Sequence, residues 1–374
     1  MPLKPDATAF GRDVIEPGAE TWNAAGTVPR DFFEQAGERG LCGLLVPESL
    51  GGAGLSMSAF CATLEQLAGH CLSSTFALIV HNNLANAIAR FGSDEQRDRY
   101  LAPMLGGECI GAFLLTEPGA GSDAGAIQTS AATSTSGWTL NGTKAWVSNA
   151  QQADLLAVYA QVADGERTGM ASFLVERSAR GLTVGPAYAL FGGHALGAAS
   201  VQLNECVVGP DSVMAQPGDG LRAALGGIDI ARIAVAAMCC GIISRSLAEA
   251  IRYTQTREAF GRTIDNFQGL QWKLADCATD LEAARALTRS AAEEYEHNGA
   301  TALAAAHAKK FAANAAFTRV ADCMQIAGAD GLRRTQPYAR HLEAAKIAQY
   351  IDGTSEIQNI VISRHLASSY TQSA

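Results

Sequence analysis

Thr116-Glu-Pro-Gly-Ala-Gly-Ser-Asp123, followed closely by Lys144-Ala-Trp-Val-Ser-Asn149, runs an apolar strand into a glycine-rich turn and then into an aromatic on a second strand. Gly119 and Gly121 are expected to take backbone angles that a Cβ forbids. Peptide N–H groups, with the Thr116 and Ser122 hydroxyls, would then approach a bound molecule closely. Trp146 offers a flat apolar face suited to stacking. Gly119, Gly121 and Gly125 miss the dinucleotide fingerprint G-x-G-x-x-G by one residue, and no strand-loop-helix-strand unit surrounds them, which speaks against a nicotinamide site.

On either side of this stretch the period of the apolar residues changes. Before it, Phe32–Leu41, Ala59–Leu67 and Phe76–Phe91 repeat every three or four residues and predict helices, interrupted at Pro47 and Gly51-Gly52. From Ile110 to about Val208 the period moves towards two, predicting strands over Gly111–Leu115, Trp138–Val147, Leu155–Val162, Met170–Glu176 and Ser200–Val208, with a hairpin turn at Asn141-Gly142. After Gly218-Asp-Gly220, long helices are predicted over Ala231–Arg257, Trp272–Glu296 and Leu303–Ile326, then a shorter one near Ser355–Leu366. The fold class is α+β and mostly α, in three units: residues 1–109 helical, 110–216 a compact sheet, 217–374 a helical bundle.

With 374 residues the chain can bury a large core. Charged residues are 17% and hydrophobic ones 48%, a balance that leaves apolar helix faces for partner subunits and predicts an oligomer. The net charge of −9 argues against nucleic acid or an anionic membrane as the main partner. Nine cysteines without a C-x-x-C pair read as buried thiols in a reducing compartment. Residues 1–15 lack an apolar signal-type core, and no unbroken run reaches the ~18 apolar residues of a membrane span, so a cytoplasmic protein is expected. His81, His307 and His341 lack metal-ligand spacing, and no metal is expected. A Ser-His-Asp site has no nucleophile-elbow motif to support it.

Five motifs in order carry a resemblance: Val46-Pro-Glu-Ser-Leu-Gly-Gly-Ala-Gly54, Leu115-Thr-Glu-Pro-Gly-Ala-Gly-Ser-Asp123, Leu140-Asn-Gly-Thr-Lys-Ala-Trp146, Arg257-Glu-Ala-Phe-Gly-Arg262 and Gly353-Thr-Ser-Glu-Ile-Gln358. From Phe32 to Leu366 the chain resembles an acyl-CoA dehydrogenase. The resemblance implies an N-terminal helical domain, a middle β-barrel, a C-terminal four-helix bundle and a homotetramer with FAD as cofactor. It places Thr116 and its neighbouring backbone at the flavin ring, with Trp146 and Ser148 flanking the reactive edge, and Phe113, Leu115, Gly121, Ser122, Thr354 and Glu356 also at the cofactor. Arg257, Phe260, Gln268 and Gln325 are implied to hold the FAD pyrophosphate and adenosine across a subunit boundary, where a forked cation suits a diphosphate. Ala329 stands there in place of a usual glycine. Ser122, Asp229, Arg232, Ile351 and Gly353 are implied at the substrate. Taken singly, Trp146 is equally a core tryptophan and Arg257 a solvated helix-end arginine.

Asp352 is the candidate catalytic residue. Members resembling this chain carry a glutamate before Gly-Thr that removes the α-proton of an acyl thioester; here Tyr350-Ile-Asp-Gly-Thr354 supplies a carboxylate one methylene shorter. The other family position for a base is Ala231. The plainer reading makes Asp352 a turn residue ahead of a Ser355-x-x-Gln358 capping box. The family's upstream arginine-aspartate pair is Glu343-Ala344, its tyrosine beside the base is Ile351, and His194 stands near an inter-strand turn, changes that suggest a remodelled substrate pocket. By resemblance, the substrate is an acyl thioester of CoA or a carrier protein, and electrons pass to an electron-transfer flavoprotein or to oxygen. Two other readings stay open: a flavin oxidase or monooxygenase of the nitroalkane oxidase type, and a non-catalytic flavoprotein scaffold.

Overall fold

The computed structural model describes residues 5–164, 167–299 and 301–371. Its first part is helical: α1 (Ala7–Phe10), a π-helical turn, α2 (Glu16–Ala25), α3 (Arg30–Glu38), α4 (Met57–His70), α5 (Leu72–Phe91) and α6 (Asp94–Leu105). Ser93 and Gln96 close a reciprocal capping box on α6. The helices α1, α2 and α6 lie where the apolar period is weak and were not predicted.

The middle part is an eight-stranded sheet: β1 (Gly111–Leu114), β2 (Ser130–Ser134), β3 (Gly137–Val147), β4 (Leu155–Asp164), β5 (Arg167–Glu176), β6 (Leu182–Ala187), β7 (Ala199–Val208) and β8 (Val213–Ala215), in the order β6-β7-β3-β2-β4-β5-β8. The five predicted strands are present; β2, β6 and β8 are additional. β1 pairs in parallel with Leu155–Val158 of β4, and β2 in parallel with Gln161 and Val162 of the same strand. The segment between β1 and β2 is therefore an excursion that leaves β4 and returns to the same strand further along. That excursion carries the glycine motif.

Asn141-Gly142 is not a hairpin turn. The β2–β3 hairpin turns between Ser134 and Gly137, and Asn141-Gly142 is a register shift inside β3. Asn141 bonds across to Glu205, accepting from its N–H at 2.8 Å and donating to its carboxylate at 3.0 Å. A Cβ at Gly142 would lie 2.4 Å from the Thr129 hydroxyl, so close approach selects this glycine.

The last part comprises α7 (Gly220–Thr256), a hairpin of β9 (Glu258–Ala259) and β10 (Arg262–Thr263), then α8 (Gln268–Asn298), α9 (Ala302–Ile326), α10 (Tyr338–Ala348) and α11 (Ser355–Thr371). α7, α8 and α9 pack on one another, and α4 packs on α7, so the two helical parts share one core. α7 is long and apolar enough to cross a membrane, although Asp229 and Arg232 interrupt its apolar run. Here 78% of its most apolar stretch is buried inside the fold. All nine cysteines are unpaired, eight of them buried.

Candidate active site

The glycine excursion is pinned from beneath by a buried ion pair. Lys144 falls in phase with the buried Trp138 and Leu140 of β3, so its side chain points into the protein with no exposed surface. Its amine donates to the Glu117 carboxylate at 2.8 Å and to the Leu115 carbonyl at 3.0 Å. The Glu117 carboxylate also accepts the N–H groups of Gln128 and Thr129, at 2.7 and 2.9 Å, where the chain rejoins the sheet. One carboxylate thus ties both ends of the excursion. These bonds overcome the cost of burial and hold the Glu117 carboxyl down to about 2, whereas burial outweighs the partner for the Lys144 amine and lowers it to about 8. Thr116 is fixed in turn, its carbonyl accepting the Ala145 N–H at 2.9 Å.

Gly119 and Gly121 do not have positive φ, contrary to expectation. A Cβ at Gly119 would meet no protein atom within 4 Å, and at Gly121 only Thr116 Cγ2 at 3.9 Å. Neither backbone angle nor internal packing demands glycine, so the room above the excursion is open to a ligand. The left-handed conformation falls instead on Trp146, with φ 58°. Between Lys144 and Val147, β3 carries an extra residue relative to β7, and this bulge turns Trp146 out of the sheet until 60% of it is exposed. Tyr188 backs the indole at 4.7 Å between ring centres. Ser148, two residues on, is half-buried, as is Phe113, whose ring packs on Tyr159 at 5.0 Å; Leu115 is buried, and Ser122 is exposed.

Asp352 reaches the same region by another route. The loop of Tyr188 packs on α10, and a Cβ at Gly193 (φ 69°) would lie 2.3 Å from Ile347. α10 then ends in a turn in which the Tyr350 and Ile351 N–H groups both donate to the Ile347 carbonyl. Asp352 follows with φ 52° and Gly353 with φ 94°. From the other side, Leu221, Ala224 and Ile228 of α7 pack with Leu115 and Ala120 of the excursion. One helical turn later, roughly 6 Å along the axis, Arg232 donates through Nε to the Asp352 carbonyl at 3.2 Å and through Nη1 to Asp229 at 3.0 Å. Arg232 and Asp229, expected at the substrate, are thus paired with each other and hold the Asp352 backbone.

The Asp352 carboxylate has one oxygen, Oδ2, that is buried without a hydrogen-bond partner. Among the described residues its N–H has no partner either. Burial pushes the carboxyl up to about 6, with Lys309 and Arg232 opposing the shift. The expected Ser355-x-x-Gln358 capping box does not form. Thr354 caps α11 by accepting the Ile357 N–H at 3.4 Å, while the Gln358 amide donates to the Gly353 carbonyl at 2.9 Å, so Asp352 is not a helix cap.

The remaining expected cofactor residues lie on the surface. Arg257 ends α7, and its carbonyl accepts the Ile264 N–H at 2.8 Å to close the β9–β10 hairpin. Phe260 and Gly261 form that hairpin's two-residue turn with φ 52° and 79°, and Phe260 is 95% exposed. Arg257, Gln268, Gln325 and Glu356 are exposed, Thr354 half-buried.

Three family descriptions match successive parts of the chain: acyl-CoA dehydrogenase N-terminal domain over residues 3–108, middle domain over 112–206 and C-terminal domain over 218–367. The chain belongs to the acyl-CoA dehydrogenase family. The mitochondrial short-chain specific acyl-CoA dehydrogenase of Rattus norvegicus is 35% identical over 370 residues, covering 98% of this chain and 90% of its own length. Butyryl-CoA dehydrogenase from Megasphaera elsdenii superposes with a TM-score of 0.91 at 31% identity, covering 96% of each chain. The prolyl acyl carrier protein oxidase AnaB gives a TM-score of 0.90 at 27% identity, again covering 96% of each.

As a member of this family the chain is a flavin-dependent oxidoreductase, and its cofactor is FAD. The residues present fit that group: the out-turned Trp146, the open backbone at Gly119, and exposed Arg257, Gln268 and Gln325 as donors of the kind a diphosphate takes. Sequence reading had not singled out Glu117, Lys144 as an ion partner, or Lys309. A lysine in phase with buried strand residues was the available signal for Lys144.

Proposed function

We propose that this chain dehydrogenates an acyl thioester, of CoA or of a carrier protein, between Cα and Cβ, with Asp352 as the base. The observation that carries the reading is the Asp352 carboxylate: a buried oxygen without a partner, on a turn one helical turn of α7 away from the glycine excursion. Bound FAD supplies the acceptor for the hydride that leaves Cβ. The Cα–H bond breaks towards Asp352, and its electron pair becomes the new C=C bond. A carboxyl pushed up to about 6 is ionised at neutral pH yet basic enough to take a proton. The unpartnered Asp352 N–H is available to donate to the thioester carbonyl as negative charge develops there. Arg232 holds that peptide in place, and Trp146 and Thr116 flank the cofactor ring.

A homotetramer is proposed with it, supported by the exposure of Arg257, Phe260, Gln268 and Gln325, which then complete a cofactor site between subunits. A cytoplasmic location is supported by nine unpaired thiols, and the acceptor is an electron-transfer flavoprotein or oxygen. Anaerobic mixing with a panel of acyl-CoAs, carrier-bound acyl groups and nitroalkanes tests the function. Bleaching of the flavin by a thioester is expected; bleaching by nitroalkanes alone, or by nothing in the panel, refutes it. Admitting air afterwards separates an oxidase from an enzyme that needs a protein acceptor.

A further inference from the structure

Lys309 has no chemical part in the proposed reaction, yet it is built into the turn that carries Asp352. It lies on α9 along a stripe of buried alanines, Ala305, Ala308, Ala312 and Ala313, and has no exposed surface. Its amine donates to the carbonyls of Gln349, at 3.1 Å, and Gly353, at 2.7 Å, which bracket Asp352. The same two carbonyls accept from Ser355 N–H and from the Gln358 amide, and Arg232 takes the Asp352 carbonyl. Three helices thus clamp a turn whose central aspartate sits at φ 52°. A buried ammonium near a buried carboxylate ordinarily closes on it as an ion pair. Here Lys309 is satisfied by carbonyls, and Asp352 Oδ2 is left without a partner.

We infer that Lys309 is a positioning residue for the base: its carbonyl bonds fix the strained turn, and its charge favours the ionised carboxylate without a contact that would neutralise it. This rests on the reading of Asp352 as base. The groups facing the pair are few. Asp352 is faced by Lys309 from α9 and Arg232 from α7; Lys309 is faced by Asp352, by Cys239 and Arg232 from α7, and by Glu356 from α11. Cys239 is a buried neutral thiol and Glu356 is exposed, so removing the Lys309 charge leaves Arg232 as the cation acting on Asp352.

The test compares holoenzymes of wild type, Lys309→Met, Lys309→Gln and Asp352→Asn. FAD content, thermal melting and anaerobic flavin reduction by the thioester that bleaches wild type are read between about pH 5 and 9. Both Lys309 variants are expected to keep FAD and a cooperative melt while the acid limb of the rate profile moves up by about one pH unit, a roughly tenfold loss at the acid end. Lys309→Gln, which keeps a donor without the charge, should recover the plateau rate better than Lys309→Met but not the acid limb. An acid limb unchanged in whichever variant folds overturns the inference. So does loss of FAD or of the cooperative melt in both, which would make Lys309 a residue of the fold. Undiminished flavin reduction by Asp352→Asn instead removes the base assignment itself, whereas an inactive Asp352→Asn beside unshifted Lys309 variants removes the role of Lys309 alone.

Discussion

Among the described residues two lysines are fully buried, and they treat the nearest carboxylate in opposite ways. Lys144 closes on Glu117 at 2.8 Å and holds it down to about 2. Lys309 spends its protons on carbonyls and leaves the Asp352 carboxyl at about 6. Burial lowers both amines to about 8, so the difference lies in contact rather than in depth. A carboxylate in contact with a buried ammonium, and accepting two further N–H groups, is a fixed structural charge. One that sees the ammonium without touching it keeps a free oxygen and a pKa near working pH. The glycine excursion is thereby a rigid corner, and the Asp352 turn is the one we propose as reactive.

The contrast breaks most visibly at Asp352. Asp352→Asn keeps the shape of the side chain and tolerates the left-handed backbone, but cannot take a proton. Flavin reduction by the thioester substrate is expected to fall by about 10⁴-fold with FAD content unchanged, measured by anaerobic stopped flow; a fall of less than tenfold would erase the distinction between the two corners.

Glu117→Gln should do the reverse, disturbing structure before chemistry. It leaves the Lys144 ammonium buried without a counter-charge, at a cost of about 3–5 kcal/mol, and frees both ends of the excursion. A lower melting temperature and loss of FAD on gel filtration are the expected readouts. Adding Lys144→Met should recover part of the stability, since it removes the stranded charge. A Glu117→Gln enzyme that melts like wild type and keeps FAD would show the pair to be dispensable.

Trp146→Ala removes an indole that is largely exposed, so the apoprotein should melt close to wild type while FAD retention weakens by about tenfold, the order of one lost stacking contact. FAD titration of the two apoproteins checks this, and equal affinities would detach Trp146 from the cofactor.

The smallest effect is the pH dependence of stability. Folding raises the Asp352 carboxyl from 3.8 to about 6, so its contribution is fully present below about pH 4 and is lost as pH rises through about 6. Glu117, held at about 2 from 4.5, runs the other way: its contribution is present above about pH 4.5 and fades as pH falls towards 2. The melting temperature of Asp352→Asn relative to wild type should therefore rise between pH 4 and pH 7. A constant offset across that range would place the Asp352 carboxyl at an ordinary value.

Periodicity determined the succession of helices, sheet and helices, the five principal strands and the three long helices that follow the sheet, and the ordered motifs singled out the glycine stretch and Trp146. Those signals are local: a strand or helix shows its buried face in the spacing of its own residues. The motif resemblance added Asp352 as the candidate base and the residues proposed at the cofactor. What tertiary structure decided depends on partners far along the chain. Asn141-Gly142 reads as a turn, but Thr129 and Glu205 make it an irregularity within a strand. Gly119 and Gly121 read as conformational glycines, but the positive φ fell on Trp146, through a bulge against β7, and on Asp352. The two lysines read as ordinary charges in Thr143-Lys-Ala145 and Ala308-Lys-Lys310. Their burial and their different partners, Leu115 and Glu117 for one and Gln349 and Gly353 for the other, come from segments 27 to 44 residues away. A pKa and a free lone pair belong to the surroundings of a group, and those surroundings exist only once distant segments have packed together.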